Sequence, residues 1–200
     1  VLLMKWQQIL KMLAPYLAVV IFWTGLSNGW LAILAYHAQI ILWATISPRI
    51  NGRKAIIGTL NRRAILLALP TVCAGPLLYY LLPHVTNIEL TIWLAEHQLS
   101  SFALLCMIPY FGIIHPFLEQ LHWFSLRQET AISHVMFAGY HMLVLSSLFS
   151  LPWLILSFAL LSIVSLLWTY ITMQTKGIML AYVSHALADA GLIIAVSLQY

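Results

Sequence analysis

The sequence predicts an all-α, polytopic membrane protein, and three observations predict it. Of the 200 residues, 62% are hydrophobic and only 7% are charged, with a mean hydropathy of +0.95, far from the balance of a soluble domain. Apolar runs of about 20 residues, the length that crosses a bilayer's hydrocarbon, recur along the chain with short polar breaks between them. The few basic residues cluster between those runs, where they orient helices in a membrane. Nine Lys and Arg with five Asp and Glu cannot cover a surface facing water, so the skin faces lipid. The sequence pI of 9.2 therefore points to topology rather than to nucleic acid. Cys73 and Cys106 sit in apolar runs without metal-type spacing and read as small packing residues. No cleavable leader is evident in the opening run.

Lys5 and Lys11 flank an opening segment that reads as an amphipathic lead-in, and 37 uncharged residues follow, from Met12 to Pro48. That is too long for one span, and Ser27-Asn28-Gly29 is a turn signal, so spans are expected over about 12–27 and 30–47. The first is short. Arg49, Arg53, Lys54, Arg62 and Arg63 make the main basic loop. Span three, 64–82, contains Pro70, Gly75 and Pro76, which predict a kink. Residues 83–100 carry Glu89, Glu96 and an interfacial Trp93, but no Lys or Arg, and read as an external loop with a short surface helix. Spans four to seven are expected at 101–124, 130–149, 152–173 and 177–198, antiparallel because their connections are short.

Seven spans with a cytoplasmic N-terminus put all nine Lys and Arg inside and leave only Glu89 and Glu96 in the outer connections. The C-terminus is then on the opposite side. No internal repeat is evident, and residues 1–100 and 101–200 form one membrane domain with the chemistry in the second half.

Ionisable groups are expensive in hydrocarbon and usually face a bundle interior or a wet cavity. Glu119, His115, His122, His134, His141, His185 and Asp189 concentrate in spans four, five and seven. Four-residue spacing places His115 with Glu119, Phe137 with His141, and His185 with Asp189 on shared helix faces. Counting along these spans brings Glu119, His141 and His185 to similar depths in the cytoplasmic half. The bland reading of each is an interhelical polar clamp or a satisfied packing group. It is favoured for His115, His122 and His134, although His122 is close enough to Glu119 to support it.

These residues, in this order, resemble the CPBP family of intramembrane proteases, which includes the CAAX prenyl endopeptidases and bacteriocin-processing proteins. The family's motifs are EExxxR, FxxxH, and HxxxN or HxxxD. Phe137-Ala-Gly-Tyr-His141 and His185-Ala-Leu-Ala-Asp189 match the second and third. The first survives in part: Glu119 leads, but Gln120 stands where the second acid belongs and Phe124 where the arginine belongs. The resemblance covers about residues 101–198. It implies Glu119 as general base, with His141, His185 and Asp189 holding water or oxyanion, and Gln120, His122, Phe124 and Phe137 in support. The same Glu119, His141, His185 and Asp189 set offers a zinc site with a bound water, and the sequence leaves the two chemistries open. The loss of one acid and one arginine together looks compensated and points to a weakened enzyme or a pseudoprotease.

The resulting expectation is a CPBP-type peptidase acting on a peptide, a prenylated protein or another membrane protein near the cytoplasmic face. Its alternative is a non-catalytic scaffold or subunit of a larger membrane complex. A subunit binding a cofactor such as a pigment or quinone through His37 or the site histidines, with the eight Trp packing around it, is a further option, against an interfacial belt as the ordinary role of those Trp.

Overall fold

The computed structural model describes residues 6–46 and 56–200, and among these the fold is a bundle of helices. Six helices are long and apolar enough to cross a membrane: α1 Trp6–Gly25, α2 Gly29–Ile46, α3 Arg62–Val85, α5 Ser101–Arg127, α7 Leu151–Thr175 and α8 Met179–Gln199. Two shorter helices are α4 Leu90–Glu96 and α6 Ile132–Leu145. The only β pairing among the described residues is a single bridge between Thr86 and Phe149.

Local chemistry sets the boundaries. Asn28 Oδ1 accepts from Leu31 N at 2.9 Å, Asn61 Oδ1 from Ala64 N at 2.8 Å, and Ser100 Oγ from Ala103 N at 3.2 Å. Each satisfies an amide that the first turn of a helix leaves unpaired. Lys176, at φ 55°, closes α7 in the left-handed region. The outer faces carry exposed large apolar side chains throughout, among them Leu156, Leu160, Ile163 and Leu166 on α7, which marks lipid as their solvent.

Contacts between helix ends divide the bundle into two ends. At one, the α1–α2 turn meets the end of α4 (Asn28 Nδ2 to Gln98 Oε1, 2.8 Å). There the chain beyond α3 also meets the chain beyond α6 (Asn87 N to Leu148 O, 2.7 Å). At the other, Gln8 donates to Glu129, and Thr59 N donates to Thr175 O at 2.6 Å. Arg62, Arg63, Arg127 and Lys176 belong to this second, basic end, and Glu89 and Glu96 to the first.

Several expectations are revised. The fifth expected span, 130–149, is the 14-residue helix α6, about 21 Å at ~1.5 Å per residue, short of the ~30 Å hydrocarbon. Its flanking turns complete the passage between the two ends. The first span is not short: α1 covers the 20 residues Trp6–Gly25, π-helical from Val19, and Lys11, expected in a surface lead-in, is only 4% exposed. Its ammonium lies 5.5 Å from the centre of the Trp43 ring, which offsets part of the burial cost. Trp93 is buried rather than interfacial, against Trp23 at 5.2 Å and with its Nε1 on Ser147 Oγ at 2.9 Å. Cys73 and Cys106 are exposed on the outer surface, not packed. Lys5 and the basic cluster Arg49, Arg53 and Lys54 lie outside the described residues.

The proline-rich stretch of α3 forms a 3₁₀ segment, Leu69–Cys73, as expected of a helix whose hydrogen-bond ladder Pro70 interrupts. Just beyond it Gly75 meets α8: a Cβ there would lie 2.6 Å from the Gly191 carbonyl. Two glycines thus let α3 and α8 touch backbone to backbone, the packing that small residues allow between membrane helices.

Candidate functional site

Helix α5 supplies the centre of the site, and it does so through an irregularity. Between Pro109 and Pro116 it widens into a π-helical segment, Tyr110–Ile114. Pro116 has no N–H for the carbonyl of Gly112, and the widened turn absorbs that mismatch and re-aims the residues after it. His115 and Glu119 then point inward together.

Glu119 is 1% exposed, and its two oxygens have different fates. Oε1 accepts from the hydroxyls of Tyr36 on α2 and Tyr140 on α6, and Trp123 Nε1 donates to Tyr36 at 2.9 Å. Oε2 has no hydrogen-bond partner. It faces His115 Nε2 at 3.6 Å and His185 Nε2 at 3.5 Å. Asp189, one turn beyond His185 on α8, completes the group: its Oδ2 is 3.2 Å from His185 Nε2 and 3.7 Å from His115 Nε2. Glu119 lies eight residues before the end of α5, about 12 Å into the bundle from the basic end at ~1.5 Å per residue.

Outer contacts hold each ring. His115 Nδ1 pairs with His37 Nε2 at 2.9 Å, and His37 Nδ1 with the Tyr110 hydroxyl at 2.6 Å. His185 stacks on Trp168, ring centres 3.9 Å apart, and its Nδ1 meets Gln120 Nε2 at 3.3 Å. Gln120 Oε1 in turn accepts from Arg127 Nη1 at 3.3 Å. The Arg127 guanidinium is buried, 4.8 Å from the centre of the Phe137 ring.

The structure therefore brings Glu119, His185 and Asp189 into one cluster, with Gln120 as the partner of His185. His141 stands behind Tyr140, stacked on it with ring centres 4.1 Å apart. Its Nδ1 bonds the Phe137 carbonyl at 2.8 Å. Phe137 is thus a wall for Arg127 and an anchor for His141.

His122 does not support Glu119: its Nε2 pairs with the Lys11 carbonyl at 3.1 Å, on the α1 side of the helix. Phe124 is half-buried and takes no part in the polar contacts. Phe124 stands at the motif's arginine position, and Arg127 brings a guanidinium to the same helix face. Seven residues from Gln120 is two turns, so the face is shared. His115 was expected to be a packing group and is instead in direct contact with both carboxylates; its four-residue spacing to Glu119 was the available signal. His134 does pack, on Ser165 Oγ at 2.8 Å. His37 has both ring nitrogens engaged, one with Tyr110 and one with His115.

The suitability of the cluster for zinc can be judged from its own atoms. Donor atoms of His115, Glu119 and His185 lie within 4.8 Å of one another, and the four donor separations of 3.2 to 3.7 Å given above are close to the edges of a tetrahedral site with ~2.0–2.2 Å bonds. The hydrogen bonding of His185 disagrees. Arginine only donates, so Gln120 must turn its oxygen to Arg127 and its NH₂ to His185. That makes His185 Nδ1 the acceptor and puts the ring proton on Nε2, the atom a metal would need bare. The positions fit zinc and the proton does not.

Compared with known protein families, curated proteins and solved structures, the chain matches none. The likeness to the CPBP family stands on its motif residues alone.

Proposed function

We propose that the protein is an intramembrane peptidase of CPBP type, cleaving a peptide bond of a membrane-anchored or prenylated substrate near the basic end of the bundle. The positive-inside rule makes that end cytoplasmic. The observation that carries the reading is the asymmetry of Glu119, with one oxygen anchored by two tyrosines and the other left without a partner in a cluster of polar groups. A buried polar atom without a partner is costly, and functional sites are where that cost is tolerated.

In the proposed reaction Glu119 Oε2 takes a proton from water as the water oxygen bonds to the carbonyl carbon. The His185 Nε2–H donates to the oxyanion, in a site dry enough for that bond to count. The C–N bond then breaks, and the proton held by Glu119 passes to the leaving amine. Asp189 keeps the His185 N–H aimed into the cluster between turnovers. His141, with Nδ1 donating to its own helix, presents a bare Nε2 as an acceptor.

A non-catalytic scaffold or subunit of a membrane complex is the second reading, and the closure of the site favours it. Glu119 and His185 are buried and only the Asp189 side chain, 14% exposed, gives the cluster an edge. A peptide reaches Glu119 only if helices part.

The test is cleavage of membrane-anchored peptide reporters by the full chain in bilayer vesicles, with products identified by mass spectrometry. Loss of a general base costs about 10²- to 10⁴-fold, so Glu119→Gln is expected to reduce cleavage by at least about 100-fold. Cleavage unchanged by the substitution, or none by the unaltered protein, turns the assignment to the scaffold.

A further inference from the structure

We infer that Gln120 and Arg127 form a tautomer lock: they hold the His185 proton on Nε2, making His185 a hydrogen-bond donor at the site and closing it to metal ligation. The tautomer follows from geometry alone. Its catalytic consequence, donation to the oxyanion, rests on the peptidase reading above.

The chain of contacts has one consistent direction. Arg127 Nη1 donates to Gln120 Oε1 at 3.3 Å, Gln120 Nε2 donates to His185 Nδ1 at 3.3 Å, and His185 Nε2–H faces Asp189 Oδ2 at 3.2 Å and Glu119 Oε2 at 3.5 Å. Turning the amide over would oppose its NH₂ to the guanidinium and leave two donors face to face. All members except Asp189 are buried, so water is poorly placed to relieve such a mismatch.

His141 is the converse case. Its Nδ1 lies 2.8 Å from the Phe137 carbonyl, and a carbonyl only accepts, so the proton is on Nδ1 and Nε2 is bare. The two motif histidines are thus held as opposite tautomers, one donor and one acceptor. A carboxylate at position 120, as in the motif the sequence resembles, would reverse His185: it would accept from both Arg127 and His185 Nδ1–H, leaving Nε2 bare beside His115 and the two acids. Gln120 therefore decides whether this cluster is a proton-handling site or a metal site.

The experiment uses the full chain in bilayers, labelled with ¹⁵N-histidine, with the His185 resonances assigned by their loss in His185→Gln. The unaltered protein is expected to show a neutral His185 protonated at Nε2. Gln120→Glu is expected to move the proton to Nδ1 and to raise zinc affinity, titrated with zinc alone, by about 10- to 100-fold, the usual effect of a ligand's outer partner. Arg127→Leu frees the amide to turn and is expected to give both tautomers, which keeps the proposal testable if Gln120→Glu does not fold. A His185 protonated at Nδ1 in the unaltered protein, or equal zinc affinity before and after Gln120→Glu, overturns the lock. Neither result depends on cleavage, so failure of the lock and failure of the peptidase reading are separately visible.

Discussion

Replacing each tyrosine that holds Glu119 should destabilise the bundle unequally. Both Tyr36 and Tyr140 donate to Glu119 Oε1, so Tyr140→Phe removes one bond to a carboxylate, worth about 1.5–3 kcal/mol. Tyr36→Phe removes the equivalent bond and a second interaction, because Trp123 Nε1–H, which donates to the Tyr36 hydroxyl at 2.9 Å, loses its acceptor. Trp123 is fully buried, and an orphaned buried donor costs about 1–3 kcal/mol. Tyr36→Phe should therefore be the more destabilising by roughly 1–3 kcal/mol. The two losses should not add, since both bonds share one acceptor. Reversible unfolding in mixed detergent micelles, followed by tryptophan fluorescence and by far-UV circular dichroism, measures the difference. Equal losses, or a larger loss for Tyr140→Phe, would refute the assignment of Tyr36 as the bridge between Trp123 and Glu119.

The glycine contact between α3 and α8 makes an ordered prediction. A Cβ at position 75 falls 2.6 Å from Gly191 backbone whereas one at 191 falls 3.2 Å from Gly75, so Gly75→Ala should cost more than Gly191→Ala, about 1–3 kcal/mol in the same unfolding assay; the reverse order would mean the helices part there. The two exposed cysteines test immersion in lipid. Cys73 and Cys106 lie on the outer surface of α3 and α5, and lipid suppresses the thiolate that maleimide requires, so a charged, impermeant maleimide should label neither in intact vesicles and both after unfolding in detergent. Labelling by the impermeant reagent would place those faces in water.

Much of this architecture was legible in sequence because hydropathy, turn residues and charge placement are local properties. Asn28 belongs to the turn that separates the first two spans, Pro70 marks the break in α3, and the four-residue spacings of His115 with Glu119 and His185 with Asp189 foretell shared faces. The short length of α6 was not legible, since its apolar composition continues through the turns that flank it. The partner of Gln120 was not legible because the motif ends at Phe124, while the helix turns once more and delivers Arg127 to the same face.

Sequence alone determined that the chain is a helical membrane protein and which residues are costly enough in hydrocarbon to demand partners. The partnerships themselves were decided only by tertiary structure, because they join side chains far apart in the chain: Tyr36 and Tyr140 to one oxygen of Glu119, His37 to His115, Trp168 to His185. The tautomers of His141 and His185 belong to the same class. A histidine carries no record of which nitrogen holds its proton. That is set by the neighbour on the other nitrogen, a carbonyl for His141 and an amide turned by Arg127 for His185, and only the packed helices bring those neighbours into reach.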